Sequence, residues 1–507
     1  MELVNPDMIS RIDSYAAEEL GLSTVTLMKR SGEAARFALS SIAEKGAKVL
    51  ILAGKGNNGG DGYALADLIM DDYSVKVIDV FKEGQRSEAG RFYLDRFVSR
   101  GGTVVKGLGD LALIDEADVI VDAIFGTGFL GEPPRELMPL SERINTLSKK
   151  VLAIDVPLGV NAEDGSVHGI AIKAYATVSL SFVKTGIVSY PARDQVGRLF
   201  TSDLELPFDK ISERFEFKNF FVDSSLAKKL LPERESNTNK GSFGKALLIT
   251  GSAAYEGAGR LSLEASLRGG AGLVSIVSDR WLKNRLITDY PEAVYYAVLD
   301  GDDPENELLP ILKKHQSILI GSGSGVSEKL YRILLSVIST EGAPAVLDAD
   351  AINSIARYGS LSDIKNAKRK LILTPHPMEF SRLIGTDVLS INSERIKYAK
   401  EFAKENNCIL VLKGAATLTT DGDRLFINST GSSALAKGGS GDVLAGLLVS
   451  LLAFSRDPLE TAALAVYLHG AAGDSLSEEY SEFGVTPSDL PKEIARQIKK
   501  LSSIINE

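Results

Sequence analysis

Within nine residues, Gly54 to Gly62, the chain places five glycines together with Asn57, Asn58 and Asp61. The apolar run Lys48–Ala53 leads into them, and a helical pattern starts at Tyr63. In an open α/β sheet, a turn at the carboxyl end of a strand is where ligands bind. Glycines let the backbone approach a phosphate closely, and the following helix N-terminus favours an anion. Asn57, Asn58 and Asp61 add polar groups that a plain turn does not need, although a purely structural glycine turn is the competing reading. Two further strand ends carry acids, Asp122 in Val121–Gly128 and Asp155 in Ile154–Gly159. An aspartate in an apolar run is costly to bury without a partner. Each either caps its own turn or converges with the glycine loop and Lys184 on a cation or catalytic site.

A second glycine turn, Gly438-Gly439-Ser440-Gly441, runs straight into Asp442 and an apolar helix. Backbone N–H groups in such a turn form an anion hole for nucleotide phosphates. Asp442 stands where a base would activate a hydroxyl attacking the terminal phosphate. The competing reading is a glycine-rich helix start with an acid at its positive end. Asn428, Ser429, Thr430, Gly431 and Lys437 fit the phosphate picture. Asp348 and Asp350 end another apolar run, where they would position a substrate or magnesium, or stabilise the turn. His376, between two prolines after a strand, is expected to face the crevice. His469, in an Ala-rich helix, is expected to make a buried structural hydrogen bond, and His168 and His315 are expected at the surface. The four histidines show no zinc spacing.

Short Val- and Ile-rich runs alternate with helical stretches on both sides of a polar break at residues 205–243. That alternation predicts two α/β domains with parallel sheets covered on both faces. Expected strands are Lys48–Ala53, Val75–Phe81, Asp118–Phe125, Lys150–Val156 and Ala176–Val183. In the second domain they are Ala246–Thr250, Leu273–Val277, Ser317–Ile320, Ala345–Asp348, Leu371–Thr374, Ile409–Lys413, Thr417–Thr420 and Arg424–Ile427. Residues 1–45 read as helical, and 233–240 as a polar surface loop.

The 507 residues exceed one ordinary core. A net charge of −10 argues against wholesale nucleic-acid binding, which needs a basic face. Cys408 is the one cysteine, so no intramolecular disulfide forms. Met1–Pro6 lacks the basic-then-apolar pattern of a signal peptide, and no apolar stretch is long enough to span a membrane. A cytoplasmic protein is expected.

The strings GNNGGDGY, VDAIFGTG, DVPLGVN and FVKTG resemble the NAD(P)H-hydrate epimerase domain over most of residues 1–205. The resemblance implies a Rossmann-like three-layer fold with catalytic Asp155. It places the substrate against Asn57, Asn58, Gly59, Gly60, Asp61, Gly126, Thr127, Gly128, Asp155 and Lys184. It also implies potassium at Asn58, Asp122 and position 158, where Leu158 replaces the family's usual Ser.

Over nearly all of 225–500, LDADAIN, LTPHPMEF, LKGAAT, NSTGSSALAKGGSGDVLAG and YLHGAAGD resemble the ribokinase-like superfamily and, within it, NAD(P)H-hydrate dehydratases. That resemblance implies ADP or ATP with magnesium, bound by Lys413, Gly414, Ala415, Ala416, Thr417, Lys437, Gly438, Gly439, Ser440 and Gly441. It implies catalytic Asp442, with Gly323 and His376 also at the hydrate. Gly321-Ser322-Gly323-Ser324-Gly325, Met378, Gly259 and Asn239 depart from the family pattern on the substrate side. The order of motifs is similar to the fused repair enzymes, with domains at 1–212 and 213–507. The expected partners are NADH or NADPH hydrate, an adenine nucleotide and further copies of the chain. A vitamin-precursor kinase with a non-catalytic N-terminal binding module is the alternative.

Overall fold

The computed structural model describes residues 1–81, 86–109, 112–129, 131–147 and 149–503. It divides into two compact units, one of Glu2–Asn219 and one containing Phe220–Glu507.

Among the described residues of the first unit, seven strands form an all-parallel sheet. Their order is Thr103–Lys106, Ser74–Asp79, Lys48–Ala53, Val119–Ala123, Lys150–Ile154, Ala176–Leu180 and Arg198–Ser202. Alternate residues of a strand face opposite sides. Val49, Ile51 and Ala53 therefore pack against the helices Pro6–Glu18, Thr24–Ser40 and Asn57–Ile69. Leu50 and Leu52 pack on the other face with Ile114, Leu140 and Ile144. The chain fills one half of the sheet from Lys48–Ala53 outward, then returns to Val119–Ala123 and fills the other. That reversal opens a crevice at the strands' carboxyl ends. A Cβ on Gly54 would lie 1.8 Å from the Ile124 carbonyl oxygen, so only glycine lets these two strand ends meet.

The second unit repeats the plan. Its sheet runs Val294–Tyr296, Leu273–Val277, Lys245–Ile249, Ser317–Ile320, Ala345–Leu347, Leu371–Leu373 and Ile409–Leu412, all parallel. The antiparallel strands Leu418–Thr420 and Leu425–Asn428 follow. Here the reversal lies between Lys245–Ile249 and Ser317–Ile320. The helix Ser440–Leu452 carries no charge after Asp442, and Val443–Leu452 is buried throughout. A Cβ on Gly446 would sit 2.2 Å from the Ser262 carbonyl, which lets this helix press against Glu256–Arg268.

Several expectations need correction. The polar break holds the helices Phe208–Arg214 and Ser224–Leu230 and the strand Asn219–Val222, which the sequence pattern did not mark. Residues 1–45 begin with a strand, Glu2–Val4, that pairs with Val183–Lys184. His315 is buried rather than at the surface. Its ring turns inward between the Ile311 carbonyl, at 2.8 Å, and Ser275 Oγ, at 2.9 Å. His168 is half-buried beside Ser166. Residues 233–240 are exposed, as expected. Among the described residues, no helix is long and apolar enough to cross a membrane.

Candidate active sites

The first crevice holds a cavity of about 510 Å³. Asn57, Asn58, Asp61, Gly126, Thr127, Gly128, Asp155 and Lys184 all line it. Gly59 and Gly60 stand behind the wall, and their role is close packing. Added Cβ atoms there would meet the Gly54 carbonyl at 1.9 Å and Met28 Cε at 2.4 Å. Asp155 sits just past its strand with φ of 71°, an unusual conformation for a side-chain-bearing residue. Its Oδ2 accepts from Thr127 N at 2.8 Å and Thr127 Oγ1 at 2.6 Å, and its Oδ1 pairs with the buried Lys184 ammonium. Burial pushes the Asp155 carboxyl up, but Lys184 and Thr127 outweigh it and hold it below the ordinary value. A Cβ on Gly126 would stand 2.8 Å from Asp155 Oδ2, so this glycine makes room for the carboxylate.

Two acids on the wall behave differently. Asp61 is buried, and burial with the neighbouring Asp155 and Asp13 carboxylates holds it well above the usual carboxylate range. Asp13 opens into the cavity, yet crowding by the walls still pushes it up to about 6. Asp13 and Ser31 were not among the expected residues. The sign in the sequence was an acid on the same helix face as Ile9, on a helix remote from any glycine motif.

The residues expected to hold potassium bring several oxygens together. Asn58 Nδ2 donates to the carbonyls of Phe125, at 2.9 Å, and Ile154, at 3.1 Å. Asn58 Oδ1 is buried without a partner. Asp122 accepts from the backbone N–H of Leu158 at 2.8 Å and Ile124 at 3.2 Å, and burial pushes it up to about 6. An orphaned amide oxygen beside carbonyls and a carboxylate fits a hard cation. Leu158 supplies no side-chain oxygen: its side chain packs with Leu50 and Leu52, and its carbonyl accepts from Ile172 N–H.

In the second unit, the carboxyl ends of successive parallel strands meet. Asp348, buried, accepts from Ser322 Oγ at 2.8 Å, Thr374 Oγ1 at 2.7 Å and Lys413 Nζ at 3.2 Å. Lys413 Nζ is also 3.9 Å from Glu379 and would lie 3.3 Å from a Cβ placed on Gly441. Burial disfavours the Lys413 charge, but Asp348 and Glu379 more than restore it. Asp442, in the first turn of Ser440–Leu452, is pushed up to about 7 by burial and by Asp348, with Lys413 opposing. Gly439 turns the chain at φ of 102°, and Gly438 faces open space. The Lys413–Thr417 turn is propped from below by the buried Arg395, which donates to the carbonyls of Ala415 at 2.7 Å and of Leu412 and Lys413 at 3.2 Å. Ala416 takes φ of 48°, and Gly414 makes room at φ of 132°.

His376 caps the helix Pro377–Ile384. Its Nδ1 accepts from Met378 N and Glu379 N, so in the neutral ring Nε2 carries the proton. Gly323 joins its loop to Ser252, whose hydroxyl donates to the Gly323 carbonyl at 2.9 Å. Lys437 stands apart from the phosphate turn, because its ammonium donates to the carbonyls of Phe483 and Val485. His469 makes the expected buried bonds, to Ser440 Oγ and the Ser440 carbonyl. Ser322, Thr374 and Glu379 complete the cluster without having been expected. Among the described residues no three His, Cys, Asp or Glu side chains gather to hold a metal ion. Magnesium normally arrives on nucleotide phosphates and needs few protein ligands.

Two open, mostly parallel sheets, each with polar residues gathered at the carboxyl ends of its strands, define a pair of nucleotide-type α/β crevices in one chain. Residues 246–496 match the family model for NAD(P)H-hydrate dehydratase, and residues 24–186 match the model for the YjeF-related protein N-terminus. The bifunctional NAD(P)H-hydrate repair enzyme of Moorella thermoacetica is 32 % identical over 97 % of this chain and 95 % of its own length. That of Coxiella burnetii is 34 % identical over 94 % and 95 %. The ADP/ATP-dependent NAD(P)H-hydrate dehydratase of Bacillus subtilis, co-crystallised with ATP and magnesium, is 31 % identical, with a TM-score of 0.50 over 56 % of this chain and 98 % of its own. The chain belongs to the family of bifunctional NAD(P)H-hydrate repair enzymes, with a Rossmann-like first unit and a ribokinase-like second.

Proposed function

We propose that this chain repairs hydrated NADH and NADPH at two sites. The first interconverts the hydrate epimers, and the second dehydrates the hydrate at the expense of an adenine nucleotide. The observation that carries the reading is the position of Asp442, one residue beyond the open glycine turn and beside the Lys413 charge cluster.

The hydrate is a carbinolamine whose hydroxyl is a poor leaving group. Asp442 takes the hydroxyl proton as that oxygen attacks the terminal phosphate of the nucleotide. The Gly438–Gly441 turn and Lys413 hold the phosphates and balance the charge that develops. Phosphate then leaves with the oxygen, helped by the ring nitrogen, and loss of a proton from the neighbouring carbon restores the double bond. His376 Nε2–H and the Gly323 loop orient the nicotinamide ring. Magnesium supplies charge neutralisation on the phosphates when bound. In the first site, Asp155 moves a proton at the carbinolamine centre while Asn57, Thr127 and Gly128 position the substrate. Asn58 and Asp122 would hold potassium, which would steady the strand ends beneath the substrate.

The test mixes the chain, magnesium and NADH hydrate with ADP or with ATP and follows recovery of dihydronicotinamide absorbance. Recovery with release of inorganic phosphate is expected. A stable phosphorylated product without recovery would instead mark a small-molecule kinase.

A further inference from the structure

Inverting the carbinolamine carbon requires two proton movements, one onto a departing hydroxyl and one off an entering water. Asp155 is committed to one of them. Two donors from Thr127 and the Lys184 ammonium hold it as a carboxylate, ready to accept. Asp61 lines the same cavity from the first turns of Asn57–Ile69 and hydrogen-bonds to Ser31. The Ser31 hydroxyl already donates to the Leu27 carbonyl at 3.1 Å. A hydroxyl donated by Ser31 favours the Asp61 carboxylate, so what keeps a proton there is the burial of Asp61 and the carboxylates that share its cavity. Burial and the Asp155 and Asp13 charges push Asp61 up, with the Ser31 hydroxyl and Lys184 opposing.

We propose that Asp61 is a second catalytic residue of this site, the acid that complements the Asp155 base. The assignment rests on the epimerase reading above. Asp61 gives its proton to the hydroxyl, the C–O bond breaks, and water departs as the nitrogen lone pair forms an iminium. A water on the opposite face adds to that carbon, and Asp155 accepts its proton. One proton has then passed from Asp61 to Asp155, and proton exchange with solvent, or turnover of the opposite epimer, restores the starting pair. Water is the one co-reactant. Such pairs, with environments that drive two carboxyls apart, mark acid and base assignments. Asp13 is a positioning residue, whose charge keeps the proton on Asp61.

The full-length chain is given one pure epimer of NADH hydrate in heavy-oxygen water. Each inverted molecule should carry one solvent oxygen. Inversion with the original oxygen retained would mean ring opening and would overturn the proposal. Asp61→Asn should lower kcat for inversion by at least about 10²-fold with KM little changed, and Asp61→Glu should recover part of it. Wild-type kcat in Asp61→Asn, or a folded Asp61→Glu chain with no recovery, counts against the assignment. Asp13→Asn should move the basic limb of the inversion pH profile to lower pH, and an unmoved limb would remove Asp13 from the scheme. A wild-type chain that inverts neither epimer overturns the epimerase reading itself.

Discussion

The two crevices use one architecture and tune their bases in opposite ways. Asp155 is saturated with donors, two from Thr127 and one from Lys184, and stays ionised despite burial. Asp442 stands among the Asp348, Asp350 and Glu379 charges, and burial and repulsion lift it to about 7 against Lys413. A fully bonded carboxylate suits a substrate that needs only a proton accepted. A carboxylate poised near neutrality has more drive to take a proton from a poorly acidic hydroxyl. The same residue type thus serves two reactions through the number of donors its neighbours provide.

The contrast breaks most severely at Asp442. Asp442→Asn should reduce dehydration by about 10²–10⁴-fold while leaving inversion intact. Nucleotide affinity, read by calorimetry, should change far less. Next is Lys413→Met, which strips Asp348 and Glu379 of their buried cation. Loss of one partner of a buried pair costs about 3–5 kcal/mol, so the melting transition of the second unit should fall. Any remaining dehydration should need higher pH, because Asp442 loses its one favourable charge. A direct comparison of pH profiles comes third. Dehydration should fall as pH drops through about 7 and Asp442 gains a proton. Inversion should persist to lower pH, since Asp155 is held below its ordinary value. The smallest effect is Thr127→Val, which removes one hydroxyl donor from Asp155. A hydrogen bond to a charged group is worth about 1.5–3 kcal/mol, and the acid limb of inversion should move upward by a corresponding fraction.

Much of this was visible in the residue order because strands buried on both faces are unbroken apolar runs. Lys48–Ala53, Leu273–Val277 and Ser317–Ile320 fall where the pattern puts them. Thr103–Lys106, Arg198–Ser202 and Val294–Tyr296 were missed because they are partly exposed, lie at sheet margins and carry no such run. Asp155, Asp442 and Lys413 follow strands or glycine turns, so local order exposes them. Asp13, Ser31 and Glu379 are brought in by packing of helices that carry no motif. His315 misled because Lys313, Lys314 and Gln316 surround it, while its ring leaves that polar row for Ser275. Lys437 looked like a phosphate ligand by adjacency, yet the end of the helix Pro458–Gly484 claims its ammonium.

One rod, Ser440–Leu452, carries both the glycine cradle at its tip and the Asp442 carboxylate in its first turn, and it is wedged against Ser262 through Gly446. The spacing from cradle to carboxylate is therefore that of a rigid jig. Enlarging Gly446 would shift both together, and a misplacement of about 1 Å far from the chemistry can cost about 10²-fold in rate. The tolerance of the dehydration site is thus set at its back wall, about one helical turn beyond the carboxylate that takes the proton.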